Sequence, residues 1–405
     1  MSDPERADAP LLRDPDFRRL WSAGLITYFV RWLEVLVFGV FTYERTGSAF
    51  AVAGMLMLRM VPLGLLGVPF GAWAARVPGR AGVVAMLGTL ATTSTALLAA
   101  VAGDALEVWH VALACAIGGV VWAADNPLRR ALVGELAGTR RMAKAMALDV
   151  GASNACKLAG PGAGGFLLAH GGMAGVLAVT LALYLVAIAM VLRIRPRARP
   201  AAPPAAGVLA ILADGANQVR AVPRLAAALW VTVVFNLFGW PVLSMVPVIG
   251  RDRLGLGPDG VGLLAGSDGL GTLIGALALA AVPRPPPQGR TYVAGCVAFF
   301  VAVGAFSAAT HPVAAALLLF LSGLGQAAFA VMQATLTIGA VTPERRTQAM
   351  GLLTVAIGTA PLGFLALGAL AERVGAPIAV GASCAAGLAV LALTRRLWRV
   401  CWDAG

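Results

Sequence analysis

The sequence predicts an all-α integral membrane protein: twelve transmembrane helices in two pseudo-symmetric six-helix bundles. Three observations predict it. The 405 residues are 59% hydrophobic and only 12% charged, about half the charged share of soluble domains. Apolar runs of about 20 residues, each long enough to cross a bilayer, recur along the whole chain. The basic residues, finally, crowd onto alternate loops.

The runs are 19–43, 50–74, 81–102, 107–127, 143–169, 172–192, 225–249, 259–282, 291–309, 313–337, 347–370 and 376–394. The opening "MSDPERADAPLLRDPDFRRLW" is polar and lacks the short apolar core and small-residue cleavage site of a signal peptide, so the first run is read as a retained helix. Of 31 Lys and Arg residues, 24 fall on loops that share a side with both termini, and four fall on the opposite loops. The other three, Arg31, Arg59 and Lys157, lie inside spans. This bias follows the positive-inside rule and predicts two cytoplasmic termini. An odd number of spans would destroy it. The net charge of +12 is then a topology signal with some attraction for anionic lipid, and no nucleic-acid partner is expected. The five cysteines are scattered without a C-x-x-C pair. They suggest neither a disulfide framework nor a zinc site and read as small apolar filler.

The chain divides into an N-terminal segment (1–18), a first bundle (19–193), a linker (194–222), a second bundle (223–396) and a tail (397–405). The linker opens with "RIRPRARPAAPPAAG", stiff and solvated by its Pro and Arg content. Val208, Ile211, Leu212 and Val219 then recur at helical spacing, which predicts an amphipathic helix on the membrane surface. The bundles echo each other: "RRMAKAMAL" (140–148) matches "RRTQAMGLL" (345–353), and Gly160-Pro161 matches Ala360-Pro361. Such parallel six-plus-six repeats organise one large class of transporters.

A charge at mid-bilayer costs at least about 2.5–3.5 kcal/mol, so residues of this kind face a cavity or a partner. Arg31 and Glu34 in span one stand at i and i+3 and can pair on one helix face. Either they form a static pair, or Glu34 exchanges protons while Arg31 tunes it. Arg59 in span two and Asp268 in span eight hold nearly equivalent places in the two halves. They either pair across the halves or line opposite cavity walls. Lys157 in span five points to a cavity, or snorkels to water. Asp125 lies near the cytoplasmic end of span four. Asn154, Asn236, Gln326 and Gln333 offer hydrogen bonds to a substrate or to a neighbouring helix. Trp32, Trp122 and Trp240 can stack on a substrate, while Trp21, Trp109 and Trp398 suit interfacial anchoring. The interior tally of three positive side chains against two acidic ones leans toward an anionic or zwitterionic ligand.

The three histidines (110, 170, 311) belong to three different loops without ligand spacing, so no metal site is predicted. No Gly-rich stretch forms a phosphate loop, and no catalytic triad can be assembled. The chain is read as neither an enzyme nor a cofactor protein.

Several motifs carry a family resemblance. After span four, "DNPLRRALVGEL" fits the pattern N-P-x-R-x-A-L-x-x-E-L through Asn126, Pro127, Arg129, Ala131, Leu132, Glu135 and Leu136. Span five holds G-P-x-x-G-G as Gly160, Pro161, Gly164 and Gly165. Small residues there allow helix backbones to approach, and Pro bends the span. "LRMVP" in span two and "YERTGSAFAVAG" before it add to the likeness. The chain resembles the major facilitator superfamily over nearly its whole length, most of all the branch of macrolide-efflux proteins and siderophore exporters. The G-P-x-x-G-G core is similar to the superfamily's antiporter signature. In the loop after span two, Gly71, Arg76 and Arg80 fit the family signature, but Ala75 stands where an Asp is usual. Relatives of this branch carry Gly-Asp-Trp in span one; here Val30 and Arg31 precede Trp32, and the acid stands at Glu34.

The resemblance implies proton-coupled export of a small organic molecule, a drug or metabolite, by alternating access. Its partners would be that substrate, protons and the bilayer. The expected setting is a monomer in a bacterial inner membrane. The alternatives are a proton-independent facilitator or importer, and a non-transporting receptor or scaffold.

Overall fold

A computed structural model describes residues 11–74, 77–195, 217–282, 287–342 and 345–402. Among these, eleven stretches are long and apolar enough to cross a membrane. One of them, Lys144–Leu192, has 49 residues and would extend about 74 Å as a single helix, more than twice the hydrocarbon thickness of about 30 Å. It breaks at Gly172, where φ is 60° and ψ −170°. That backbone conformation is open to glycine and strained for other residues. The stretch therefore crosses twice, and the spans number twelve.

Spans one to four are Pro15–Thr46, Ala49–Ala74, Gly79–Ala102 and Val108–Gly138. Spans five and six occupy 139–171 and 173–192. Span one begins at Asp14, whose carboxylate accepts from the N–H groups of Asp16 and Phe17, with Pro15 in the first turn. It ends at Gly47 in the left-handed conformation, a common helix stop. Span four runs farther than its apolar stretch predicts. Leu128, Leu132, Val133 and Leu136 continue the helical spacing past Pro127 and are buried. Asp125 consequently sits 13 residues before Gly138, about 20 Å from the helix end. The expectation that it lies near the end of span four is corrected.

Span seven covers Pro223–Asp252 and is irregular. It is α-helical to Val234, widens over Phe235–Gly239, tightens over Trp240–Met245 and resumes over Val246–Asp252. Pro241 and Pro247 supply no N–H to the ladder, which accounts for the interruption. Spans eight to ten are Pro258–Ala281, Gln288–Ala308 and Pro312–Gly339. Span eleven is Arg346–Ile357 and Ala360–Val374, interrupted before Pro361; span twelve is Ala376–Leu393. The tail is a further helix, Arg395–Trp402. The predicted linker helix falls on 208–219, of which residues to 216 lie outside the described residues; 217–221 are helical.

Two seams join the halves, and small residues build both. A Cβ on Gly165 would lie 2.3 Å from the Pro258 carbonyl oxygen, and one on Gly262 would lie 2.6 Å from that of Pro161. Spans five and eight thus touch backbone to backbone. Spans two and eleven meet where Gly64 faces Gly358 and where Gly368 faces Phe50 and Ala53. Gly160 and Gly164 face inward instead, against the Phe29–Leu33 backbone of span one. The glycines of the G-P-x-x-G-G core therefore pack span five on both sides.

At the end of the bundles far from the termini, polar contacts fasten the two halves. Tyr43 donates its hydroxyl hydrogen to Asp252. Arg251 pairs with Glu44 at 2.9 Å. Glu372 accepts from the Ser48 hydroxyl and the Phe50 N–H at 3.0 and 3.2 Å. This end is closed. Gly165→Val should pry it open, since overpacking a tight contact costs roughly 1–3 kcal/mol. With cysteines placed at Ser48 and Glu372, crosslinking yield should fall in the Gly165→Val background. An unchanged yield would show that spans five and eight do not control this end.

Candidate functional site

The interior charges lie on spans one, two, four, five and eight, and every one of them has a partner. Arg31 and Glu34, adjacent on one helix, do not bind each other. This corrects the expected intrahelical pair. Arg31 Nη2 donates to Asp125 Oδ2 of span four at 3.2 Å. Glu34 Oε2 binds Arg59 Nη2 of span two, and its Oε1 accepts from the Tyr184 hydroxyl of span six at 3.3 Å. Neighbouring helices supply closer-fitting partners than the next turn does. All four charged residues are less than 9% exposed.

Arg59 fits because span four is small where it passes. A Cβ on Gly118 would lie 3.0 Å from Arg59 Nη2, and one on Gly119 would lie 2.4 Å from the Arg59 carbonyl oxygen. Arg59 Nη1 also donates to the Arg31 carbonyl at 3.2 Å. Arg59 is thus held inside the first bundle, which rules out the alternative in which it pairs with Asp268 across the halves. Asp125 Oδ1 accepts from Nε and Nη2 of Arg129 at 3.1 and 2.6 Å, so one carboxylate serves two guanidinium groups. Arg31 also stands 4.5 Å from the Trp122 ring centre and Arg129 5.0 Å from that of Tyr28, distances at which a cation is attracted to the ring face.

A second cross-half ion pair, this one buried, joins Lys157 to Asp268. Lys157 Nζ lies 2.6 Å from Asp268 Oδ2. It also donates to Gln326 Oε1 of span ten and to the Thr272 hydroxyl at 3.3 Å. Asp268 Oδ1 accepts from Ser322 at 3.2 Å. Lys157 does not snorkel to water; it is 8% exposed and lies between Trp32 and Trp240, 5.9 and 5.8 Å from their rings. Gln326 Nε2 is buried without a hydrogen-bond partner.

Two cavities flank this centre. One, toward the closed end, is lined by Val35, Leu36, Leu56, Pro161, Leu243 and both members of the Lys157–Asp268 pair. The other, toward the termini, is lined by Tyr28, Arg31, Trp122, Arg129, Asp149 and Asn154. Trp32 lines both and meets Trp240 edge to face, with ring centres 6.5 Å apart. Trp32 is thus common to the two cavities, while Trp240 lines only the one toward the closed end.

Asn154 and Gln326 therefore belong to this region. Asn236 and Gln333 do not line either cavity. Asn236 donates to the Thr232 carbonyl and Gln333 to the Thr232 hydroxyl, deep in the second bundle. Of the signature-loop residues, Arg76 lies outside the described residues, as does Ala75; Gly71 and Asn126 are described only in their helical backbone. Arg80 lines a surface cleft with Glu135 and Arg195. Among the described residues no group of three or more His, Cys, Asp and Glu is placed to hold a metal ion.

Sequence reasoning missed Tyr184, Asp149, Thr272 and Ser322. Asp149, at the start of span five, accepts from Tyr28 at 2.8 Å and changes the charge balance. Arg31, Arg59, Arg129 and Lys157 now face Glu34, Asp125, Asp149 and Asp268. The expected positive excess is evened, four to four, and with it goes the lean toward an anionic ligand.

Two six-helix bundles, seamed along small residues, with buried charge pairs inside the first bundle and one across the seam, define a membrane transporter of the major facilitator type. Over residues 7–404 the chain matches the family described as transmembrane secretion effectors, and it belongs to that family. In fold it is similar to a bacterial homolog of the human lysosomal transporter Spinster in its inward-facing, unoccupied form (15% identity, TM-score 0.72, covering 96% of this chain and 98% of that one). It is similar as well to a POT family transporter in complex with 5-aminolevulinic acid (12% identity, TM-score 0.74, covering 94% and 96%). A mutant of the nucleoside transporter NupG is a third likeness (10% identity, TM-score 0.74, covering 95% and 100%). At these identities the likeness is one of fold. No curated protein matches the sequence.

Proposed function

We propose that this transporter exports a small organic molecule, a drug or metabolite, from a bacterial cytoplasm in exchange for protons. The observation that carries the reading is the Lys157–Asp268 pair, a buried ion pair shared by the two bundles. It lies beside a cavity whose far end is closed. Rocking the bundles apart must break this pair, so whatever enters the seam competes for its members. A proton on Asp268 would release Lys157, and a substrate group could then occupy the vacated place. The driving force is adequate, about 2.3 kcal/mol per charge per 100 mV. The alternation of basic loops supports cytoplasmic termini in the inner membrane. The protein is proposed to act as a monomer, with the substrate, protons and surrounding lipid as its partners.

One observation favours a second reading. Glu34 and Asp125 are each held by arginine, which suits a static scaffold and a proton-independent facilitator or importer. Uptake into inverted vesicles against a compound panel, with and without an imposed pH gradient, separates the two. Gradient-dependent accumulation of any compound supports proton exchange. Flux indifferent to the gradient supports the facilitator, and binding without flux would sink both.

A further inference from the structure

The C-terminal helix Arg395–Trp402, "RRLWRVCW", takes no part in the transport site, yet it is firmly docked. Cys401 is 1% exposed and its Sγ donates to the Arg224 carbonyl of span seven at 3.2 Å. Trp398 Nε1 donates to the Leu391 carbonyl at 2.7 Å. Just before the helix, Thr394 accepts from Trp230 Nε1 at 2.9 Å. Gly289 of span nine lies so close that a Cβ there would fall 1.6 Å from the Cys401 carbonyl oxygen.

At about 100° per residue, the eight residues divide into three sectors. Cys401, Trp398 and Trp402 face the protein. Leu397 and Val400 are 57% and 43% exposed, although apolar. Arg395, Arg396 and Arg399 fill the third sector. A helix with one protein-facing, one apolar and one basic sector, placed where span twelve ends, suits the boundary between hydrocarbon and headgroups. The docked helix also gathers basic residues from other spans. Arg224 adjoins Cys401 through its carbonyl, Arg290 follows Gly289, and Arg220 precedes span seven by one turn; all three are exposed. The stretches 217–234, 287–300 and 385–402 together hold no Asp or Glu. Positive charge collects at this corner, although Asp403 follows the docked helix directly.

We infer that this corner binds the headgroup of an anionic phospholipid from the leaflet on the side of the termini. Exposed Arg395 and Arg396 hold the phosphate, and Leu397 and Val400 lie along the acyl chains. Guanidinium groups match phosphate oxygens in forked geometry, which makes a cluster of arginines selective for phosphate.

The test uses the full chain in detergent. Native mass spectrometry and thermal unfolding are followed during titration with phosphatidylglycerol, with phosphatidylcholine and with inorganic phosphate. Phosphatidylglycerol should be retained and should raise the unfolding temperature; phosphatidylcholine and phosphate should do neither. Each basic side chain near an anionic surface contributes about 1 kcal/mol, so Arg395→Gln/Arg396→Gln should bind phosphatidylglycerol roughly tenfold to thirtyfold more weakly. Arg395→Lys/Arg396→Lys, which keeps the charge, should lose much less and controls for folding. Equal retention of both lipids, or a Gln variant that binds as the parent does, would overturn the assignment. So would a dimer that disappears in the Gln variant, which would mark the patch as a contact between copies of the chain.

Discussion

Asp268→Asn should abolish transport, the largest effect expected of any single substitution here. The change keeps the shape of the side chain but removes the charge that faces Lys157 at 2.6 Å. Breaking a buried pair from one side strands the other charge, at a cost of roughly 3–5 kcal/mol. Gln326 and Thr272 remain as polar partners of Lys157 but carry no negative charge. Loss of stability and loss of function would coincide, so the single variant cannot assign a role. Lys157→Met/Asp268→Leu can. Replacing a buried ion pair by apolar residues of similar volume is often neutral or stabilising, and Trp32, Trp240 and Pro161 already give these surroundings an apolar character. The double variant should unfold near the parent's temperature and still fail to transport. Flux at the parent's rate in the double variant would mean the pair only holds the bundles together.

Glu34→Gln is expected to be the second most damaging change, for a different reason. Glu34 is shared by Arg59 and Tyr184, both deep in the first bundle, and Arg59 is confined by Gly118 and Gly119. The stranded guanidinium has nowhere to swing, so a loss of roughly 3–5 kcal/mol is again expected. Glu34→Gln/Arg59→Gln removes both charges and should recover most of that stability. The pH dependence of transport then decides the role of Glu34. Gradient-driven export that persists in the stabilised double variant would exclude Glu34 as the coupling acid and leave Asp268 as the candidate. Export that continues only downhill, indifferent to pH, would assign the coupling to Glu34.

The two variants also show why the site was only half legible in the sequence. Arg31, Glu34, Arg59, Lys157 and Asp268 stand out because a charge within an apolar run is rare and costly. Their pairing does not stand out. Sequence spacing offers only near neighbours, and i and i+3 made Arg31 and Glu34 an obvious couple. In the fold each of them reaches a different helix, as far away in sequence as Asp125 and Tyr184. Lys157 and Asp268 are 111 positions apart, and nothing in either run marks them as partners. Asp149 escaped notice because it stands at the edge of an apolar run, where an acid is unremarkable.

The sequence by itself determined the all-helical membrane fold, the number of spans and the small-residue seam on span five. These follow from the solvent: a bilayer demands about 20 apolar residues per crossing, and close helix contact in lipid demands small side chains. Tertiary structure alone decided which charge meets which, that Trp32 lines two cavities, and that the tail docks as a basic helix against spans seven and nine. Those outcomes depend on how helices rotate and tilt against one another. The rotation is set by packing across many residues at once, and no local pattern of spacing or composition encodes it.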